Sequence, residues 1–273
     1  MELQKAIDIL EKSDTIGLLF PEKPGIDALA AAEVIADSLK KREKLVGFLS
    51  DTHFGKENIE RFQTLAGATK LPKEFIISLD ASRAPASELR YEKTNDRIDV
   101  IFSPRGSEIT KENVSFRDGN IQCDSLVALG IADIERAAEA VTDDPGLLTR
   151  TPIVAVDSGD SAPQFGEVNI GDGRPLSEIV YALVSAMEKA PPDARQATLL
   201  LAGILSHTQT FSTPAVKPET LLAASELMRA GGEYADALRF AKNHTPLSLL
   251  QLASRAGVRS KEDESGAISW SFL

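Results

Sequence analysis

Three stretches of the chain carry residues able to do chemistry. They are Pro21-Glu22-Lys23-Pro24-Gly25-Ile26-Asp27-Ala28, then Asp157-Ser158-Gly159-Asp160-Ser161, and then Ser206-His207-Thr208. Asp27 can act as a general base. As an acid in the first turn of a helix it also offsets the positive end of the dipole, and that structural role is the preferred one. His207 can be a lone ligand, or can stabilise an anion together with Ser206 and Thr208; a helix-end histidine bonded to backbone is the preferred alternative. Ser158 invites a nucleophile, but Val-Asp-Ser-Gly-Asp-Ser is not a G-x-S-x-G elbow and no histidine has the local context of a base. A helix N-terminus at Gly25 to Ala28, with Lys23, Arg174 and His207 if they converge, can attract a phosphate without metal. Gly171-Asp172-Gly173 reads as a turn before a helix, and no lysine and serine follow a spaced glycine pair, so there is no P-loop.

The elements that must position these residues follow an alternating grammar. Leu3, Ile7 and Leu10 recur at helical spacing, Thr15 to Phe20 reads as a buried strand, a helix runs from about Asp27 to Lys41, and Lys44 to Leu49 reads as the next strand. This β-α-β unit predicts a right-handed crossover and parallel strands. Further along, Glu57 to Leu65 reads as a helix and Phe75 to Leu79 as a strand. From Glu88 to Cys123 polar and apolar residues alternate, and the turn signals Thr94-Asn95-Asp96 and Asp118-Gly119 predict two β-hairpins. Parallel grammar then returns with strand Ser125 to Leu129, helix Asp133 to Val141 and strand Ile153 to Val156. Helices follow at Leu176 to Lys189, Ala194 to Leu205, Pro218 to Ala230, Glu233 to Lys242 and Leu247 to Ala256. The fold class is α/β, a doubly wound and mainly parallel sheet. An α/β domain is expected over 1-231, with a hairpin insertion at about 84-123 and a helical C-terminal extension over 232-273. Ligands in such sheets collect at the carboxyl ends of strands, which makes the loops after Phe20, Leu129 and Val156 the ones to watch.

Composition narrows the partners. The chain has 273 residues, 42% of them apolar, enough for a full core. Its 41 acidic residues against 30 basic ones give a net charge of -11, which disfavours non-specific binding to a nucleic-acid backbone. The single cysteine, Cys123, excludes an intrachain disulfide and a cysteine zinc cluster and suits a reducing interior. The amphipathic, acidic N-terminus does not read as a signal peptide, and the stretch Ala197 to Leu205 is too short to span a bilayer. The expected location is cytoplasmic, with no membrane partner.

The loops after Phe20 and Val156 carry a family resemblance. Pro21 to Ala28 falls on the motif H-x-x-P-D-G-D-A, and Asp157 to Gly166 followed by Asn169 to Tyr181 falls on D-H-H-x-x-N-x-x-F-G and S-x-x-E-I-x-Y. Leu200 to Phe211 falls on L-x-x-G-I-x-x-D-T-x-x-F through Gly203, Ile204, Thr208 and Phe211. The chain thus resembles the DHH phosphoesterases, which include oligoribonucleases, cyclic-dinucleotide phosphodiesterases and manganese inorganic pyrophosphatases. The resemblance covers about Leu10 to Gly231 in three ordered segments. It retains Asp27, Asp157, Phe165, Gly166, Asn169, Glu178, Ile179 and Tyr181. The family's two histidines are Ser158 and Gly159 here, and the motif asparagine is Ala162. The second aspartate motif best fits Leu126 to Asp133, with Gly130 at the acid; Asp80 also ends a strand but lies much farther before Asp157. The family's C-terminal substrate-binding domain is expected to have no counterpart in this sequence.

The resemblance implies a two-manganese site in which one ion helps to bridge a nucleophilic water and both stabilise phosphoryl oxygens. Five ligand positions of that site hold Pro21, Gly25, Gly130, Ser158 and His207, and Asp27 alone survives from the set. Facing carboxylates without a cation repel and are poorly solvated, so a fold that abandons its metals is expected to shed its acids as well. The expectation is a metal-free, catalytically inactive relative, vestigial at Asp27, Asp157 and His207, acting as a binding or structural partner. Lys23, Gly25, Ser158, Arg174 and His207 are its ligand-binding candidates, for a small phosphorylated ligand. The alternative is a residual manganese-dependent phosphoesterase acting on short oligonucleotides or nucleotide phosphates. An assembly role, as a homo-oligomer or with a protein partner, would use Glu88 to Cys123 or the helical tail Glu233 to Ala256.

Overall fold

A computed structural model describes residues 2–49, 62–67, 70–142, 144–214 and 216–242, with backbone alone at 261–262 and 269–270. The helix expected at Leu247 to Ala256 lies outside these residues, as does most of that expected at Glu57 to Leu65. The chain divides into two compact units, Met1–Lys70 with Asp124–Leu273, and Leu71–Cys123.

In chain order the first unit begins with α1 (Glu2–Lys12), β1 (Thr15–Leu19), α2 (Ile26–Lys41), β2 (Leu45–Phe48) and the short α3 (Gln63–Ala66). The second unit supplies β3 (Lys73–Leu79), β4 (Ala86–Lys93), β5 (Ile98–Pro104) and β6 (Val114–Ile121). The first unit resumes with β7 (Ser125–Leu129), α4 (Ile134–Glu139), α5 (Leu147–Arg150), β8 (Ile153–Val156) and β9 (Val168–Ile170). Four helices follow, α6 (Leu176–Glu188), α7 (Ala194–His207), α8 (Pro218–Arg229) and α9 (Tyr234–Lys242), and then a short antiparallel pair, β10 (Lys261–Glu262) with β11 (Ser269–Trp270).

The central sheet has five strands in the order β2-β1-β7-β8-β9, and every neighbouring pair is parallel. Strands such as Ser125–Leu129 and Ile153–Val156 are buried along their whole length, which is why they read as continuous apolar runs rather than as alternation. The strand order reverses between β1 and β7, so the crevice beside the carboxyl ends of these two strands is the topological switch point. α2 packs against α6 and α7, and its alanines at 28, 30, 31, 32 and 36 are all buried. Small side chains on one helix let its neighbours approach closely, and Gly203 on α7 extends that logic: a Cβ there would lie 2.8 Å from Ser177 Cβ. Among the described residues no helix is long and apolar enough to cross a membrane.

The insertion departs from the sequence reading. The hairpin at Thr94-Asn95-Asp96 is present as β4–β5, closed by Thr94 N–H donating to the Arg97 carbonyl. The second hairpin is not: Asp118-Gly119 lies inside β6, which pairs antiparallel with β3. Phe75 to Leu79 is therefore a strand of the Leu71–Cys123 unit and not of the parallel sheet. The glycine has a different physical reason from a turn. The register shifts between Lys73 and Phe75, and the Glu74 side chain presses on Gly119, where an added Cβ would come 2.8 Å from it. A glycine inside a strand pattern often marks a bulge or the close approach of a neighbour rather than a turn.

Candidate functional site

The candidate residues gather at the carboxyl end of the sheet. β1 ends at Leu19 and the chain passes through Phe20, wholly buried, and Pro21 to Gly25 into α2, whose second residue is Asp27. β8 delivers Asp157, β9 leads through Gly171 to Pro175 into α6, and α7 ends at His207.

Asp27 is buried, and its two carboxylate oxygens each accept a backbone N–H from the start of α6: Oδ2 from Leu176 at 2.8 Å and Oδ1 from Ser177 at 2.8 Å. The first N–H groups of any helix need an external acceptor. The residue before α6 is Pro175, which has no side-chain oxygen to offer, so a carboxylate 149 positions earlier in the chain does the capping. Ser177 Oγ also reaches the Asp27 carbonyl at 3.3 Å. The Asp27 carboxylate therefore serves the dipole of α6, while its position in the first turn suits that of α2.

His207 Nδ1 lies 3.3 Å from Asp27 Oδ2. This corrects the preferred expectation of a histidine bonded to backbone: its partner is a side chain that only the tertiary fold brings close. The Asp27 carboxylate raises the His207 pKa above its ordinary value of 6.5, with Asp157 and Glu178 adding attraction and burial opposing it. Beyond His207 the backbone of Gln209, Thr210 and Phe211 is left-handed, with φ of 47°, 58° and 63°. Such a run is costly for residues with a Cβ, above all the β-branched Thr210. Thr208 Oγ1 steadies it, donating to the Ile204 carbonyl and accepting from the Phe211 N–H.

Because the folded state raises the His207 pKa, the protonated pair with Asp27 stabilises the fold fully below about 6.5, and that contribution is lost as pH rises through the higher folded-state value. Thermal denaturation of the wild type against His207→Asn should show the wild type's advantage shrinking as pH climbs through and beyond 6.5. An advantage that grows with pH would contradict the pairing.

Asp157 Oδ2 accepts the Gly159 N–H at 3.0 Å, closing a short turn of the kind aspartate makes with the residue two positions on. A Cβ on Gly159 would lie 2.8 Å from that same oxygen. Ser158 stands between them, half-buried. Gly166 and Asn169 clasp each other, the Asn169 side chain accepting from the Gly166 N–H at 2.9 Å and donating to its carbonyl at 2.7 Å. At Gly166 a Cβ would lie 2.7 Å from the Val168 carbonyl oxygen. Both residues hold the loop between β8 and β9.

Arg174 and Lys217 are already engaged. Arg174 Nε donates to both oxygens of Asp172, at 2.8 and 2.9 Å, and its Nη1 lies 3.6 Å from Glu178 Oε1. Asp172 holds the guanidinium pKa above its usual range, and Arg174 in turn lowers that of Asp172. Lys217 Nζ donates to the Asp172 carbonyl. Lys23 is exposed on the loop before α2. Glu178 is buried, and its Oε2 has no hydrogen-bond partner among the described residues.

Gly130, at the end of β7, has φ of 70°, and a Cβ there would meet Leu176 Cδ1 at 3.2 Å, Ala28 Cβ at 3.8 Å and Pro21 Cδ at 3.9 Å. Apolar groups crowd the crevice at that point, and the backbone disfavours any side chain. Among the described residues no three of His, Cys, Asp and Glu gather in a way that could hold a metal ion. A cavity of about 270 Å³ lies elsewhere, at the start of β8, lined by Arg150, Pro152, Phe165 and Glu167 among others.

No family model and no curated protein matches the chain. Among solved structures it is similar to the crystal structure of an exopolyphosphatase-related protein from Bacteroides fragilis, with a TM-score of 0.62 and 16% identity over 96% of this chain. The chain spans 66% of that protein's length. What the likeness shows is the architecture: a mixed α/β fold on a mainly parallel sheet of five strands.

Proposed function

We propose that this chain is a relative of the DHH phosphoesterases in which a metal centre has given way to an internal polar cluster, and that it acts as a binding or structural partner rather than as a hydrolase. The observation that carries this reading is the Asp27 carboxylate. Both of its oxygens accept N–H groups at the N-terminus of α6, and the side chain beside it is His207, where the family has an aspartate.

The residues present do not fit a pair of manganese ions. Pro21, Gly25, Gly130 and Ser158 supply no carboxylate or imidazole, one oxygen of Asp157 already accepts the Gly159 N–H, and each oxygen of Asp27 already accepts a buried N–H, which leaves too few donor groups for two ions. Restoring an acid at Gly130 would mean forcing a side chain into left-handed backbone against Leu176. Conserving metal function normally demands the supporting shell as well as the ligands. For a phosphorylated ligand the balance of charge also counts: Arg174 and His207 already face Asp172, Glu178 and Asp27. That favours a structural role over a phosphate pocket.

The second reading, a residual metal-dependent phosphoesterase, draws support from the buried Glu178 oxygen that has no hydrogen-bond partner among the described residues. Titration with manganese, followed by assays on a dinucleotide, a bis-phosphorylated nucleoside and inorganic polyphosphate, separates the two. The expected result is no manganese binding at millimolar concentration and no turnover. Manganese-dependent hydrolysis that disappears in a folded Asp27→Asn variant would overturn the first reading.

A further inference from the structure

The Leu71–Cys123 unit carries the most exposed apolar side chains of the described chain, and on β4 they occupy a strand whose outer edge has no partner among the described residues. β4 and β5 form a two-stranded sheet on their own. Leu89 faces Phe102, Tyr91 faces Val100 and Lys93 faces Ile98, so these residues share one face of the hairpin, while Glu88, Arg90 and Glu92 line the other face of β4. Leu89 is 65% and Tyr91 75% exposed. An isolated two-stranded hairpin is marginal in water, and an open edge of this length is normally blunted. β5 ends in Pro104, whereas β4 has neither proline nor glycine.

We infer that the outer edge of β4 pairs with the same edge of a second copy of this chain, about a two-fold axis through Leu89. Three observations choose this occupant. The unit holds eight basic and nine acidic residues, so nearly all of the net charge of -11 lies outside it, and two copies repel least here. Side chains alternate, so antiparallel self-pairing keeps Leu89 and Tyr91 on one face only when the axis passes through a residue. Of the axes that do so, one through Arg90 would set Arg90 against Arg90 and Glu88 against Glu92, which is repulsive. An axis through Leu89 sets Glu88 against Arg90 twice, Ser87 against Tyr91 twice and Leu89 against itself, and it engages β4 from Ala86 to Glu92. An axis through Tyr91 also pairs Arg90 with glutamate, but engages less of the strand and sets Leu89 against Lys93. The hairpin pairs become a four-stranded sheet, with the leucines and tyrosines of both copies clustered at the seam. In the single chain Arg90 lies 3.8 Å from Glu92 with both largely exposed, a weak contact that it can exchange for the copy's Glu88. This proposal is independent of the reading of the metal site.

Sedimentation of the full chain over a range of concentrations tests it. The wild type should be a dimer, and R90E should weaken dimerisation by roughly 10- to 100-fold, because two attractive cross-strand pairs become repulsive. The swap E88R/R90E should restore it, with circular dichroism confirming that each variant is folded. A wild type that stays monomeric to millimolar concentration, or a dimer indifferent to R90E, would overturn the proposal. Rescue by R90E/E92R in place of E88R/R90E would overturn the axis through Leu89.

Discussion

Gly203→Ala is expected to lower stability by about 3 kcal/mol, a drop in melting temperature of roughly 6–12 °C for a chain of this size. The new methyl group would sit 1.9 Å from Ser177 Oγ, 2.8 Å from Ser177 Cβ and 2.9 Å from Asp27 Oδ1. The hydroxyl can rotate away, but the other two contacts cannot relax separately, because Ser177 N–H is held by the same Asp27 oxygen. Parting α6 from α7 would therefore disturb the cap on α6 and its contact with His207 together. In an ordinary helix interior the same substitution stabilises by up to ~1 kcal/mol, so the predicted sign is opposite to intrinsic propensity. Ser177→Ala in the same chain should recover only part of the loss, since the contact between the two Cβ atoms remains. Denaturant titration of the two single variants and the double variant reads out this coupling. An unchanged melting temperature in Gly203→Ala would mean that α6 and α7 do not approach this closely.

Legibility in the sequence followed the range of the interaction. Ser125–Leu129 and Ile153–Val156 are read to the residue because a strand buried on both faces leaves an unbroken apolar run, and the alanine-rich α2 was bounded to within a residue. Asp133 and Asp193 cap α4 and α7 from the adjoining position, where a local signal exists. The cap on α6 had no such signal. Its acceptor lies in another β-α loop, and Asp27 looked like an ordinary acid in a first turn. His207 was misread for the same reason, its partner being 180 residues away. Asp118-Gly119 failed differently: the letters of a turn are also those of a strand that must admit a neighbouring side chain, and only the register with β3 decides between them. Among the positions kept from the resemblance, Gly166, Asn169 and Tyr181 have visible structural work. Two clasp a loop, and the Tyr181 hydroxyl donates to Glu226 at 2.9 Å. Their retention says how the chain folds, and it carries no information about hydrolysis.

Asp27→Ala should cost about 3–5 kcal/mol, the range for removing one partner of a buried charged pair. The loss has two parts. Leu176 N–H and Ser177 N–H would be left buried without an acceptor, and His207 would lose the carboxylate that holds its proton. Asp27→Asn should cost less, since its amide oxygen can still accept one N–H, while its NH2 group would face the other donor. In both variants the His207 pKa should fall back towards 6.5, observable by nuclear magnetic resonance titration. The sign of the stability change separates the two readings of this residue. In a centre built to hold cations, acids face one another without compensation when the metal is removed, and deleting one relieves repulsion, so the metal-free protein gains stability or stays level. In a cap, the acid is compensated by the protein itself, and deleting it exposes unpaired donors whatever metal is added. A clear loss of stability in Asp27→Ala, equal with and without manganese, is the outcome expected of a residue that has become part of the fold. A gain in the absence of manganese would return Asp27 to the role of a ligand.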